Sequence, residues 1–189
     1  MSKKTLILLT VFVIGVAFDQ ATKIWVYTSL RPRIDEVVVI PHFFSLVHAQ
    51  NPGAVAGFLP GQYWLFLLFT GVAVVVIGDM WRKLPANETY MSVALGLILS
   101  GAIGNAIDRV HKGTVTDFLR VYTDWPPVAN VLQRNWPHTA EWPTFNIADS
   151  ALVVGVGLFL LHQAVFETKK EPAAAAPADA QPPADANPS

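Results

Sequence analysis

The chain has 189 residues, 52% of them hydrophobic and 14% charged, with a net charge of -1 and no cysteine. A soluble domain carries about a quarter charged residues, so this chain lacks the polarity to cover a water-facing surface. The near-zero charge removes the electrostatic case for a nucleic-acid partner, and the missing thiols exclude disulfides, thiolate nucleophiles and zinc–thiolate sites.

The apolar residues gather in runs. A helix that crosses a bilayer needs about 20 mostly apolar residues, and four segments qualify, at about 5–27, 62–81, 90–107 and 147–166. The first begins like a secretory signal, with Lys3 and Lys4 ahead of an apolar run ending near Phe18. No small-x-small cleavage site follows, and Asp19-Gln20-Ala21-Thr22-Lys23 continues the helix, so the segment is expected to be retained. Asp19 and Lys23 stand four apart on one helical face and are expected to pair, in a supporting role.

A loop over about 28–61 follows. Glu36–Ile40 and Phe43–Val47 are β-branched and aromatic, are split by Pro41-His42, and predict a short strand pair. Asn51-Pro52-Gly53-Ala54-Val55-Ala56-Gly57 predicts a turn, with Asn51 in a position to donate a hydrogen bond to a substrate carbonyl or oxyanion. The third apolar segment carries Gly96, Gly101 and Gly104, which suit close helix packing. It closes on Gly104-Asn105-Ala106-Ile107-Asp108-Arg109, where Asn105, Asp108 and Arg109 share a face. Arg109 is expected to pair with Asp108 or to reach for headgroups, and Asn105 to contact substrate.

In the second long loop, about 108–146, Asp117 lies in a β-prone stretch from Thr114 to Leu119. The stretch Tyr122–Trp142 holds Trp125, Trp136, Trp142 and several prolines, which fits a loop resting at the membrane–water interface. Asn146 reads as the N-cap of the last helix and Asp149 as its third residue, where an acid complements the helix dipole. The segment 169–189 is Ala/Pro/Asp-rich and too poor in apolar bulk to fold. Lys3/Lys4, Arg82/Lys83 and Lys169/Lys170 cluster at helix ends on one side, which predicts cytoplasmic termini and outward-facing long loops.

His42, His48, His111, His138 and His162 show no metal-ligand spacing, and no serine sits in a nucleophile motif. Carboxylates remain. A charge kept in a bilayer costs at least ~2.5 kcal/mol at its centre, less near its edge, so Asp117 and Asp149 beside the spans point to use. Two that converge make an acid/base pair, and the helix terminus favours Asp149 as its ionised member.

Five segments, Asp19–Lys23, Asn51–Ala54, Gly104–Arg109, Val115–Phe118 and Phe145–Ser150, together resemble the lipoprotein signal peptidase (signal peptidase II) family in order and in four-helix layout. The resemblance spans residues 5–166. It implies a mainly α membrane protein: a four-transmembrane-helix bundle with a small extracytoplasmic β-sheet, in a domain over 1–168, followed by a disordered cytoplasmic tail. It implies an aspartic endopeptidase of the bacterial inner membrane that cuts prolipoproteins before a diacylglyceryl-modified cysteine, without metal or cofactor. Asp117 and Asp149 match the catalytic pair; Asp19, Lys23, Asn51, Gly53, Asn105, Asp108, Arg109, Asn146 and Ala148 match positions that shape the site. Lipidated precursors and membrane lipids are the implied partners, with the chain a monomer. The connection from Asp117 to Asn146 is longer than the family pattern, which bears on how the site is covered. A small proton-coupled transporter, or an inhibitor-resistance paralogue of the same fold, is the alternative.

Overall fold

The computed structural model describes residues 1–53, 61–135 and 140–167. The tail over 169–189, the Ala54–Gly57 part of the first loop motif and Trp136 lie outside these residues. In chain order the elements are α1 (Lys3–Ser29), β1 (Glu36–Ile40), β2 (Phe44–Asn51), α2 (Tyr63–Lys83), α3 (Tyr90–Lys112), β3 (Val115–Val121), α4 (Pro126–Asn135) and α5 (Ile147–His162), the last running into a π-helical turn, Gln163–Glu167.

Among the described residues, four helical stretches are long and apolar enough to span a membrane: α1, α2, α3 and Ile147–Val165. Their burial separates them. Of the most apolar 18-residue window, 56% is buried in α3 but only 11%, 6% and 11% in the other three. α3 is therefore the central helix, packed by α1, α2 and α5. The others turn apolar side chains such as Val75 and Val153 outward, as lipid-solvated helices do.

Small residues set the closest approach. At Gly101 an added Cβ would overlap the Ala148 carbonyl oxygen and press on Leu152 N at 3.0 Å. Both neighbours are α5 backbone and cannot rotate away. Gly101→Ala is expected to push α3 from α5 and cost about 1–3 kcal/mol, read as a lower Tm in detergent together with reduced turnover.

At the end of the bundle that holds the N-terminus, Leu8, Ile77 and Leu95 form a core with Met80, Trp81 and Leu84 packed against it. There the Lys4 ammonium donates to the carbonyls of Trp81 at 2.9 Å and Leu84 at 2.6 Å, fastening α1 to the C-terminal end of α2.

At the opposite end, the two expected strands gain a third. The sheet is antiparallel with order β1-β2-β3. Gly113, at φ 71°, closes α3 in the left-handed conformation that glycine adopts without a Cβ clash, and returns the chain into β3. β3 pairs Val115 with Asn51 and Asp117 with Ala49. Beneath the sheet, Val26, Leu30 and Phe118 pack with Leu46, Leu119 and Ile147.

One further pairing positions the site. Phe145 N donates to Leu119 O at 3.1 Å, and Leu119 N returns a bond to Phe145 O at 2.8 Å. This short bridge starts α5 beside Asp117. The stretch expected as an interfacial loop contains α4, which opens on Pro126-Pro127, residues tolerated in a first helical turn because their missing N–H groups would be unpaired there anyway. Trp125 and Trp142 flank it, 60% and 66% exposed.

Candidate active site

Asp149 is placed by a capping box. The Asn146 side-chain oxygen accepts from Asp149 N at 3.0 Å, and Asp149 Oδ2 accepts from Asn146 N at 3.1 Å. The other oxygen, Oδ1, accepts from Asn105 Nδ2 at 2.7 Å. The carboxylate is thus held at the start of α5 by its own cap and by the central helix.

Asp117 is no exposed loop carboxylate; it is 2% exposed. Its Oδ1 accepts from Asn146 Nδ2 at 2.7 Å and its Oδ2 from Asn51 Nδ2 at 2.9 Å. Burial, and then the nearby Asp149 charge, push its pKa up to about 6, against the pull of the two amides. Asn146 therefore touches both aspartates. Its amide also donates to Asn105 Oδ1 at 3.1 Å.

Behind the aspartates lies a buried polar layer. Lys23 Nζ sits 3.0 Å from Asp19 Oδ2 and donates to Asn105 Oδ1 at 2.9 Å; Asp108 is 3.8 Å away. Lys23 and Asp19 are 0% and 1% exposed, so the expected pair is a buried one. Asp19 Oδ1 accepts from Ala148 N at 3.0 Å, tying α1 to the first turn of α5.

Asp108 accepts from Thr116 N at 2.9 Å, next to Asp117 in β3. The expected Asp108–Arg109 pairing does not occur, because adjacent helical residues point in different directions. Asp108 faces Lys23 and Lys112, while Arg109 donates to Gly53 O at 3.2 Å and lies 4.7 Å over the Phe66 ring. Gly53 N in turn donates to Asn51 Oδ1 at 3.0 Å.

Asn51 and Asn105 both line the cavity that reaches the aspartates. Each also directs an Nδ2 donor onto a carboxylate, and Asn105 Oδ1 is shared by Lys23 and Asn146. A buried carboxylate at Asp117 and a half-buried one at Asp149 both need donors, and these amides supply them.

A cavity of about 720 Å³ reaches both aspartates. Its walls are mostly apolar, from Phe66 and Phe69 of α2 to Leu152 and Val153 of α5, and Trp142 and Phe145 lie along its rim. Such a space admits a ligand with long apolar parts and presents it to two oriented carboxyl groups. Among the described residues, no three His, Asp or Glu side chains are grouped as a metal site requires.

The family model described as signal peptidase (SPase) II matches residues 11–165. The chain belongs to that family. The lipoprotein signal peptidase of Syntrophotalea carbinolica is 39% identical over 160 residues, covering 83% of this chain and 90% of that protein. The lipoprotein signal peptidase of Symbiobacterium thermophilum is 37% identical over 157 residues, covering 83% and 93%. A bacterial membrane enzyme solved by the in meso method at 2.3 Å aligns with a TM-score of 0.72 and 31% identity, over 89% of this chain and 94% of that one.

Within this signal peptidase II fold, several site contributors escaped the sequence reading. Phe66 and Phe69 look like any membrane-span aromatics, and nothing local marks them as cavity walls. Lys112 was legible in principle, since it lies four residues after Asp108 on the same helical face. Thr116 was not, because its contribution is a backbone N–H.

Proposed function

We propose that this chain is an aspartic endopeptidase that removes the signal peptide from prolipoproteins, cutting on the N-terminal side of a diacylglyceryl-modified cysteine. Membership of the signal peptidase II family carries the class: a peptidase acting in a bacterial membrane. The observation that carries the chemistry is the joint exposure of Asp117 and Asp149 to one cavity, with Asn146 bonded to both.

Asp149, at the N-terminus of α5, acts as the general base. Asp117, the more deeply buried of the two, acts as the general acid. Asp149 takes a proton from a water as its oxygen attacks the scissile carbonyl, and Asp117 gives its proton to the carbonyl oxygen. Collapse of the tetrahedral gem-diol breaks the C–N bond: the proton on Asp149 passes to the leaving amine, and Asp117 recovers its proton from the gem-diol hydroxyl whose oxygen becomes the product carbonyl. Lys23 holds Asn105, and through it Asp149, while Asp19 holds Ala148. The acyl chains of the substrate lie along Phe66, Phe69, Leu152 and Val153.

In this reading residues 1–168 form one monomeric membrane domain with cytoplasmic termini and the active site near the outer leaflet of the inner membrane. Trp125 and Trp142 rest at its interface. The reading requires neither metal nor cofactor. Family membership displaces the transporter alternative. A cell-free assay with lipidated and unlipidated precursors is the test: cleavage of the lipidated form alone supports the peptidase, and binding of inhibitor with no cleavage of either identifies a resistance paralogue.

The pH profile follows. Because the active form needs a proton on Asp117, kcat/KM is expected to fall as pH rises through its pKa of about 6 in the free enzyme. Steady-state rates across pH 4–9 check it; a flat profile from about 5 to 8 removes Asp117 as the proton donor.

A further inference from the structure

We propose that Lys112 is a positioning residue for the two aspartates, an inference that rests on the dyad reading above. Lys112 lies in the last turn of α3, outside the set matched to the family. Its ammonium is 3.2 Å from Asp108 Oδ1 and donates to Thr116 Oγ1 at 3.1 Å, and it stands 5.0 Å over the Tyr27 ring. It is 28% exposed, whereas Asp108 and Thr116 are buried. One side chain therefore ties the end of α3 to β3 at the residue preceding Asp117.

Its second effect is on Lys23. Two buried acids, Asp19 and Asp108, flank that ammonium, yet it leans to Asp19 at 3.0 Å and to Asn105 at 2.9 Å, leaving Asp108 at 3.8 Å. Asp108 tolerates that distance because its Oδ2 accepts from Thr116 N at 2.9 Å and Lys112 serves its Oδ1. Without Lys112, the buried Asp108 charge competes for Lys23 and draws it from Asn105. Asn105 is the donor to Asp149 and the acceptor for Asn146, which bonds Asp117. Lys112 thus acts on one aspartate through Thr116 and on the other through Lys23 and Asn105.

A neighbouring network reinforces this end of the sheet. Gln50, opposite Thr116 in the β2–β3 register, accepts from Thr114 Oγ1 at 2.7 Å and bonds His48 at 2.7 Å; His48 in turn donates to Leu30 O at 2.8 Å. These residues brace β2 against β3 and α1, so the anchored strand has a rigid partner.

The test is turnover of a lipidated precursor by the full-length protein. Lys112→Met is expected to lower kcat about tenfold with KM within about twofold, since displaced catalytic groups cost rate more than affinity. Lys112→Arg, which keeps the charge and the reach, is expected to recover most of the loss. Thr116→Val combined with Lys112→Met is expected to be no worse than the poorer single variant, because both break one connection. Native kcat in Lys112→Met, a loss confined to KM, or no recovery with Lys112→Arg overturns the positioning role. Asp117→Asn, measured alongside, separates the two ideas. If it stays active, the dyad reading itself falls; if it is dead while Lys112→Met is native, only the role of Lys112 falls.

Discussion

Asp117→Asn is expected to lose cleavage of a lipidated precursor by about 10³-fold or more while the protein stays folded. The two halves have separate physical origins. The amide has nearly the same shape as the carboxyl but cannot supply the proton that the carbonyl oxygen requires. Stability responds differently, because the native Asp117 is an expensive group. Its pKa rises from 3.8 to about 6 on burial beside Asp149, so the folded state binds the proton more tightly than the unfolded chain does. Stability therefore declines as pH rises between those values. Above about pH 6 the ionised group costs on the order of 3 kcal/mol.

The substitution removes that cost but leaves one of two donors, Asn51 Nδ2 or Asn146 Nδ2, facing an NH2 group. That loss is about 1–3 kcal/mol, so the terms nearly cancel at neutral pH. The variant is expected to melt within a few degrees of the native protein at pH 7.5 and below it near pH 4, where the native group is no longer penalised. Thermal unfolding at the two pH values, together with turnover, measures both halves. An inactive and strongly destabilised variant at pH 7.5 contradicts this account of the Asp117 environment.

Lys23→Met is the second large effect, and it has the opposite signature. Lys23 is fully buried, and its removal leaves Asp19 without a cation and Asp108 with Lys112 alone among the described residues. Breaking a buried ion pair from one side costs about 3–5 kcal/mol, because the remaining charge is stranded away from water. Asn105 loses its ammonium donor at the same time and with it the restraint on Asp149. Both Tm and kcat are expected to drop. Adding Asp19→Asn removes the stranded charge and is expected to restore more than half of the lost stability, but little of the activity, since Asn105 remains unsupported. A double variant that recovers both equally points to a packing role for Lys23 alone.

Much of this architecture is legible along the chain because it depends on local spacing. The four spans follow from apolar length. The Asp19–Lys23 pair follows from an i, i+4 spacing, and the capping box at Asn146 and Asp149 from residue types three apart at a helix start. The extension of α3 to Lys112 is harder to read, since Asp108, Arg109 and Lys112 look like the end of an apolar run. The charges there have partners on α1, β3 and the first loop, and those partners allow the helix to continue inside the protein.

Other features depend on which groups compete for a donor. Sequence spacing assigns Asn51 and Asn105 to a substrate because both lie beside motifs that suggest a site. Folding also directs an amide donor of each onto Asp117 or Asp149, a carboxylate contact that spacing alone does not show. In the same way, Arg109 takes Gly53 and Phe66 rather than its neighbour Asp108.

The amino-acid sequence by itself determined the membrane class, the four helices and the carboxylates available for chemistry, because hydrophobic length and helical period act over a few turns. Tertiary structure alone decided that β3, the Phe145–Leu119 bridge and the first turn of α5 carry Asp117 and Asp149 to one cavity. It also decided that Lys112 reaches Thr116 in β3. Those placements depend on long-range strand pairing and on buried groups finding partners across the fold, and no local pattern encodes either.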